Sequence, residues 1–280
     1  MVPFNGYMAF GDTRKRVGRS ILLNVVLLAL GQILIYALVT GLLAREDKGL
    51  LFYPITLLFH TILYFALMSL RSYFRRFPSG EPLNRVNLAN KISLFRLSSL
   101  PTLFSLVLLS HHEALHLPLL LLTCLVFLSD LIDGIVSRRL KQITAIGKFL
   151  DSSSDYLLLM IFAVALLIYE LLPLWLFALI LGRGFLMGIG MIIVSVKEGA
   201  IHGETTFMGK LWVSSMMLLF ALELLRLFEA VPEAVVTLIT GGEYVAGMIV
   251  VLSVADKISF LRRRMRNPYA GDELSDSDDA

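Results

Sequence analysis

The sequence predicts an all-α, polytopic transmembrane helix bundle, and three observations predict it. Hydrophobic residues make up 57% of the 280-residue chain, and the mean hydropathy is +0.78, beyond the apolar share of an ordinary soluble domain. The apolar runs are about 20 residues each, the length a helix needs to cross a bilayer. The charges collect between those runs and at the ends of the chain, so the formal net charge of +3 hides basic borders and an acidic tail.

Eight spans follow in order, at about residues 21–43, 50–70, 93–110, 117–138, 147–169, 173–196, 210–227 and 235–260. The stretch before the first is polar and ends in Arg14, Lys15, Arg16 and Arg19. No cleavable signal peptide is expected, because the first apolar run is too long for an h-region. The segments 14–19, 71–91, 138–148 and 262–266 are basic, and they alternate with charge-poor links at 44–49, 111–116 and 228–234. The positive-inside rule therefore places both termini, and the ends of spans four and five that face residues 138–148, in the cytoplasm. The only cysteine, Cys124, sits in an apolar run, which leaves no disulfide framework and reads as a buried or lipid-facing thiol. The end of the chain, residues 272–280, reads as a solvated acidic tail. Nothing in the charge pattern points to nucleic acid.

The chemistry is concentrated in one run: Asp130, Asp133, Gly134, Ser137 and Arg138, then Gly147, Asp151 and Asp155. At about 100° per residue, the first five share one stripe of a helix and the last three share a stripe on the next. The short link 139–146 lets the two stripes face each other. A carboxylate at the bilayer centre costs roughly 2.5–3.5 kcal/mol, and several together repel one another. Such a cluster needs something positive within it, most simply a divalent metal; hard oxygen donors suit Mg²⁺ or Mn²⁺. Gly134 and Gly147 leave room for a ligand to approach the backbone. Arg138 offers a fork matched to phosphate. Metal, phosphate and a spare carboxylate together read as phosphoryl transfer.

This run resembles the signature of the CDP-alcohol phosphatidyltransferases, D-x2-D-G-x2-A-R-x8-G-x3-D-x3-D, with Ser137 in place of the alanine. The segment Asn87, Asn90, Ser93, Arg96, Pro101 is similar to the same family's entry segment, with serine for threonine. By itself it reads as an amphipathic helix lying in the interface before it turns into the bilayer. The resemblance covers roughly residues 84–265. It implies a six-helix core preceded by two additional spans in residues 1–83 and followed by the tail, 266–280.

The resemblance further implies transfer of a phosphatidyl or other substituted phosphate group from a CDP-alcohol to an acceptor hydroxyl, with release of CMP, in phospholipid synthesis. Asp130, Asp133, Asp151 and Asp155 would hold two Mg²⁺ or Mn²⁺ ions, and Asp155, at the end of its stripe, would also serve as general base. Gly134, Ser137, Arg138, Gly147 and Asn90 would shape the nucleotide site. Arg183, Lys210 and Arg96 would meet the acceptor. Residues 138–151 are similar to bacterial phosphatidylglycerophosphate synthases, which points to CDP-diacylglycerol and glycerol 3-phosphate. Ser152, Ser153, Ser154 and Tyr156 depart from that subfamily's D-P-x-A-D-K, and Gly184 replaces its glutamate. Serine, inositol phosphate, or CDP-choline and CDP-ethanolamine with diacylglycerol therefore stay as alternatives. Outside the enzymes, the alternatives are a degenerate membrane protein or a transporter, against which stand the intact carboxylates and the lack of internal repeats. A homodimer in a lipid membrane is the assembly the family implies.

His111, His112 and His116 read as ordinary loop histidines. His60, and Glu223 with Arg226 three residues on, read as structural polar groups inside spans, the last two as a pair.

Overall fold

The computed structural model describes residues 5–43, 49–76, 79–140, 144–198, 207–228 and 231–266, without the side chains of 5–12, 138, 145, 148, 188, 191–198, 260, 261 and 263–266. The acidic tail lies outside the described residues. Among the described residues nine α-helices follow one another: α1 (Asn5–Leu43), α2 (Phe52–Ser69), α3 (Leu88–Ser98), α4 (Leu100–Leu108), α5 (His116–Arg139), α6 (Ala145–Ile168), α7 (Leu174–Glu198), α8 (Phe207–Glu223) and α9 (Glu233–Arg266). Seven segments among the described residues are long and apolar enough to cross a membrane, α3 and α4 together forming one of them. The sixth predicted span, 173–196, falls on α7, whose apolar part, Leu174–Met187, is shorter within the described side chains. The all-α, polytopic expectation holds.

Helix ends and apolar ends do not coincide. The first helix has 39 residues, about 58 Å at 1.5 Å per residue, nearly twice a bilayer's hydrocarbon thickness. It therefore begins well before the apolar run at residue 21 and carries Arg14–Arg19 on a continuous helix. Long charged side chains are good helix formers, so nothing stops the helix where the apolar run stops. The same holds at the far end, where α9 continues through Arg262.

The chain divides into two compact units, residues 1–165 and 166–280. In the first, the α3–α4 span is the centre: 67% of its apolar window is buried, against 22–44% for the spans in α1, α2, α5 and α6. The amphipathic helix expected at 87–101 is thus enclosed by protein along most of its length. Seven of the eleven residues of α3 are buried, Arg96 completely. The helix starts where Asn87 Oδ1 accepts the Asn90 N–H at 2.9 Å, an N-cap that satisfies one of the orphan donors of the first turn. It breaks at Ser99, just before Pro101, which has no N–H to give. Leu94, Leu97, Leu103, Leu158 and Phe162 fill the core around it.

The described residues of the connection from α2 to α3 are hydrogen-bonded to one another. Arg76 N–H donates to the Glu81 carbonyl and Gly80 N–H to the Arg76 carbonyl, both at 2.8 Å. Gly80 sits at φ +71°, where only glycine is unstrained. This turn also forms a β-bridge from Arg76 to Thr144, in the link between α5 and α6.

In the second unit α8 and α9 pack together, with α7 against α9. Trp212, Phe220, Leu176, Ile180 and Ile239 form its core. The predicted pair is present, with Arg226 Nε 3.2 Å from Glu223 Oε2. A second carboxylate joins it, since Arg226 Nη2 is 2.6 Å from Glu243 Oε1.

Candidate active site

Three helices of the first unit meet at one set of carboxylates. Asp130 and Asp133 come from the last turns of α5, and Asp151 and Asp155 from the first turns of α6. The short link between the helices turns their stripes toward each other, as the spacing predicts. Oxygens of Asp130, Asp151 and Asp155 all lie within 4.8 Å of one another.

The positive group at their centre is Arg96 of α3. Its Nη1 donates to Asp130 Oδ1 at 2.7 Å, and its Nη2 to Asp151 Oδ1 at 2.6 Å. Asp155 Oδ1 is 3.3 Å from the same Nη2, and Nε donates to Ser154 Oγ at 2.9 Å. Every nitrogen of the guanidinium is thus engaged. The side chain is 0% exposed, whereas Asp151 is 48% exposed. An arginine buried inside a span persists because three carboxylates and a hydroxyl satisfy its fork.

Asp133 stands apart from the three. It accepts a short hydrogen bond from the Ser93 hydroxyl. Ser93 stands in the entry segment but is given no role by the sequence, and Ser154 is a site residue that the motif does not mark. The available signal was positional: Ser93 lies one turn before Arg96 on α3, and Ser154 one turn after Asp151 on α6.

The nucleotide-side candidates are placed as follows. Asn90 is buried, its Oδ1 accepting from Thr144 Oγ1 at 3.0 Å, and its Nδ2 has no hydrogen-bond partner among the described residues. Thr144 Oγ1 in turn accepts the Gly147 N–H at 2.9 Å, capping α6. A Cβ on Gly147 would lie 2.7 Å from both Asn90 Oδ1 and Thr144 Oγ1. Close packing of α6 on α3 therefore already demands a glycine here, whatever ligand approaches. Gly134 and Ser137 lie on α5, the Ser137 hydroxyl donating back to the Gly134 carbonyl at 3.2 Å. The Arg138 side chain lies outside the described residues. Beside Asn90, a cavity of about 530 Å³ is lined by Arg76, Asn84, Arg85, Asn87, Lys91 and Thr144.

Arg183 and Lys210 belong to the second unit. Arg183 is buried, donates to Ser253 Oγ at 2.7 Å and stacks over the Trp212 ring at 3.6 Å. Lys210 is exposed at the start of α8. His116 is anchored, its Nε2 2.7 Å from the Ser110 carbonyl. It lies fourteen residues before Asp130 on α5, about 21 Å along the helix, so the loop histidines do not reach the carboxylates.

A family model for CDP-alcohol phosphatidyltransferases matches residues 86–256, which hold the whole carboxylate cluster. The chain belongs to that family. The family segment comprises the α3–α4 span and α5 to α9, while α1 and α2 precede it. Among relatives of this CDP-alcohol phosphatidyltransferase is the cardiolipin synthase (CMP-forming) of Streptomyces coelicolor, 34% identical over 38% of this chain and 49% of the other. Another is the CDP-diacylglycerol–glycerol-3-phosphate 3-phosphatidyltransferase of Bacillus subtilis, 29% identical over 40% of this chain and 64% of the other. The match spans about half of the first relative and just under two thirds of the second.

The donor set fits a hard divalent cation. Three carboxylates converge, all donors are oxygen, and Asp155 Oδ1 is buried with no hydrogen-bond partner among the described residues. Asp130, Asp151 and Asp155 are the residues that would hold the ion.

Proposed function

We propose that this integral membrane protein transfers the phosphatidyl group of CDP-diacylglycerol to glycerol 3-phosphate and releases CMP. The observation that carries the proposal is the convergence of Asp130, Asp151 and Asp155 on Arg96. Bound Mg²⁺ or Mn²⁺ would supply charge neutralisation at the diphosphate as the P–O bond breaks. Asp130, Asp151 and Asp155 would hold the ions, with Asp133 completing the set. Asp155 accepts the proton of the acceptor hydroxyl. Arg96 keeps the carboxylates at fixed spacing and offsets their mutual repulsion. Its engaged fork favours this counter-ion role over direct contact with the acceptor.

Asn90 Nδ2 donates to the nucleotide, whose polar part lies toward the cavity lined by Arg85 and Lys91. Gly134, Ser137, Arg138 and Gly147 complete that side. Arg183 and Lys210 are the groups we assign to the acceptor's phosphate. The alternation of basic and charge-poor segments favours a cytoplasmic position, in a plasma or inner membrane, for this end of the helices and for both termini. Assembly as a homodimer belongs to the same proposal, and the mass of the solubilised particle tests it.

Glycerol 3-phosphate is favoured by the Bacillus relative and by residues 138–151; the Streptomyces relative favours cardiolipin synthesis as the second reading. The test is CMP release from CDP-diacylglycerol by purified protein with one acceptor at a time. Turnover with glycerol 3-phosphate and none with phosphatidylglycerol, serine or inositol phosphate is expected. Turnover with phosphatidylglycerol alone would replace this reading by the second.

A further inference from the structure

The two helices that precede the family segment carry buried polar groups that a purely lipid-facing hairpin has no use for. Gln32 on α1 is 1% exposed and His60 on α2 is 3% exposed. Both reach the same span. Thr102 Oγ1 donates to Gln32 Oε1 at 2.7 Å, and His60 Nε2 lies 2.7 Å from Ser98 Oγ. His60 Nδ1 is 2.7 Å from the Thr56 carbonyl. A carbonyl can only accept, so Nδ1 carries the proton, and in the neutral ring Nε2 accepts the Ser98 hydroxyl.

The two contacts bracket the break in the central span. Ser99 N–H still bonds the Phe95 carbonyl at 3.0 Å and Leu103 N–H the Ser99 carbonyl at 2.9 Å, but Pro101 has no N–H to give, so the ladder loses a bond between α3 and α4. Such a point is where a helix bends. His60 grips the residue just before it, and Gln32 the residue just after it. Arg96 lies two positions from Ser98, with its carbonyl bonded to the Ser99 hydroxyl at 2.7 Å. Its bonds to Asp130 and Asp151 are 2.7 and 2.6 Å, and such bonds weaken once heavy atoms separate beyond about 3.2 Å. A small change of angle at the break would carry Arg96 out of that range.

We propose that the α1–α2 hairpin is a brace across this break, in which His60 and Gln32 are positioning residues that hold Arg96 among Asp130, Asp151 and Asp155. The inference rests on the proposed active site and gives a role to the part of the chain outside the family segment.

The experiment compares His60→Ala, Ser98→Ala, their double variant, Gln32→Ala and His60→Gln in detergent. Mn²⁺ binding is followed by electron paramagnetic resonance without substrate, and kcat and KM by CMP release. Each of the three alanine single variants should weaken Mn²⁺ binding and lower kcat on the order of tenfold, the scale expected of a sub-ångström misplacement. The double variant should be no worse than either His60→Ala or Ser98→Ala. His60→Gln, whose amide oxygen still accepts the hydroxyl, should recover most of both. Folded variants with a lower melting temperature but unchanged Mn²⁺ affinity and kcat would overturn the brace, as would additive effects in the double variant. Should His60→Ala not fold, Ser98→Ala carries the same test, since it deletes a single hydroxyl. Wild-type protein that binds Mn²⁺ but releases no CMP would remove the proposed function, while the Mn²⁺ readout still decides the brace.

Discussion

Arg96 organises the site, and its contribution is electrostatic before it is chemical. Asp130, Asp151 and Asp155 lie 34, 55 and 59 residues further along the chain, so only folding brings them to its fork. Replacing Arg96 with leucine leaves three carboxylates facing one another. We expect destabilisation of about 3 kcal/mol, the low end for breaking a buried ion pair, because Asp151 is half exposed. Thermal denaturation in detergent should show the loss, and Mg²⁺ should restore part of it by replacing the missing charge; an equal loss with and without Mg²⁺ would contradict the counter-ion role. Arg96→Lys should also fail to support CMP release, since a point charge cannot reproduce a fork shared by three acids. For Asp155→Asn, CMP release should fall by about 10²–10⁴-fold, the usual scale of general-base catalysis, with CDP-lipid binding retained. Retained turnover would remove Asp155 as the base. The aspartates were legible in the sequence because their spacing is a helical one. Their cation was not, because its pairing is tertiary; the clue was that buried acids require a positive partner and Arg96 is an arginine in an apolar span.

At the scale of elements, the order of spans was legible from apolar run length, and the helix ends were not. α1 runs through its basic stretch, and α3 begins at its asparagine cap, Asn87, ahead of the apolar run expected from residue 93. The burial of α3 was hidden for a related reason. Asn90, Ser93 and Arg96 look interfacial when their partners are unknown, and each turns out to bond with a residue of α5, α6 or the link between them. Gly147 shows how tight the α3–α6 contact is. The two oxygens that a Cβ would meet are bonded to each other, and Thr144 also caps the helix, so neither can move freely. Gly147→Ala should cost about 1–3 kcal/mol, as overpacking does. A thermal melt of the variant with an unchanged midpoint would show that the contact yields.

For the whole molecule, charge asymmetry between links predicts one sidedness. Single cysteines placed at Asn84 and at Glu113, in a Cys124→Ala background, test it. In sealed inside-out vesicles from the host membrane, a membrane-impermeant thiol reagent should label position 84 and spare position 113. The reverse pattern would put the carboxylates on the wrong side for water-soluble nucleotide chemistry. The family and the membrane architecture follow from residues 86–256 and their spans, whereas the acceptor does not, because residues 152–154 and 184 depart from the subfamily that residues 138–151 resemble.

The most direct measurement is CMP release from CDP-diacylglycerol and glycerol 3-phosphate by the purified protein, with Mg²⁺ or with EDTA, beside Asp151→Asn. The account predicts release that requires Mg²⁺, stops with EDTA and resumes on adding metal back, and is absent in Asp151→Asn. Release that persists in EDTA, or in Asp151→Asn, would contradict the assignment of the carboxylate cluster as a metal-dependent active site.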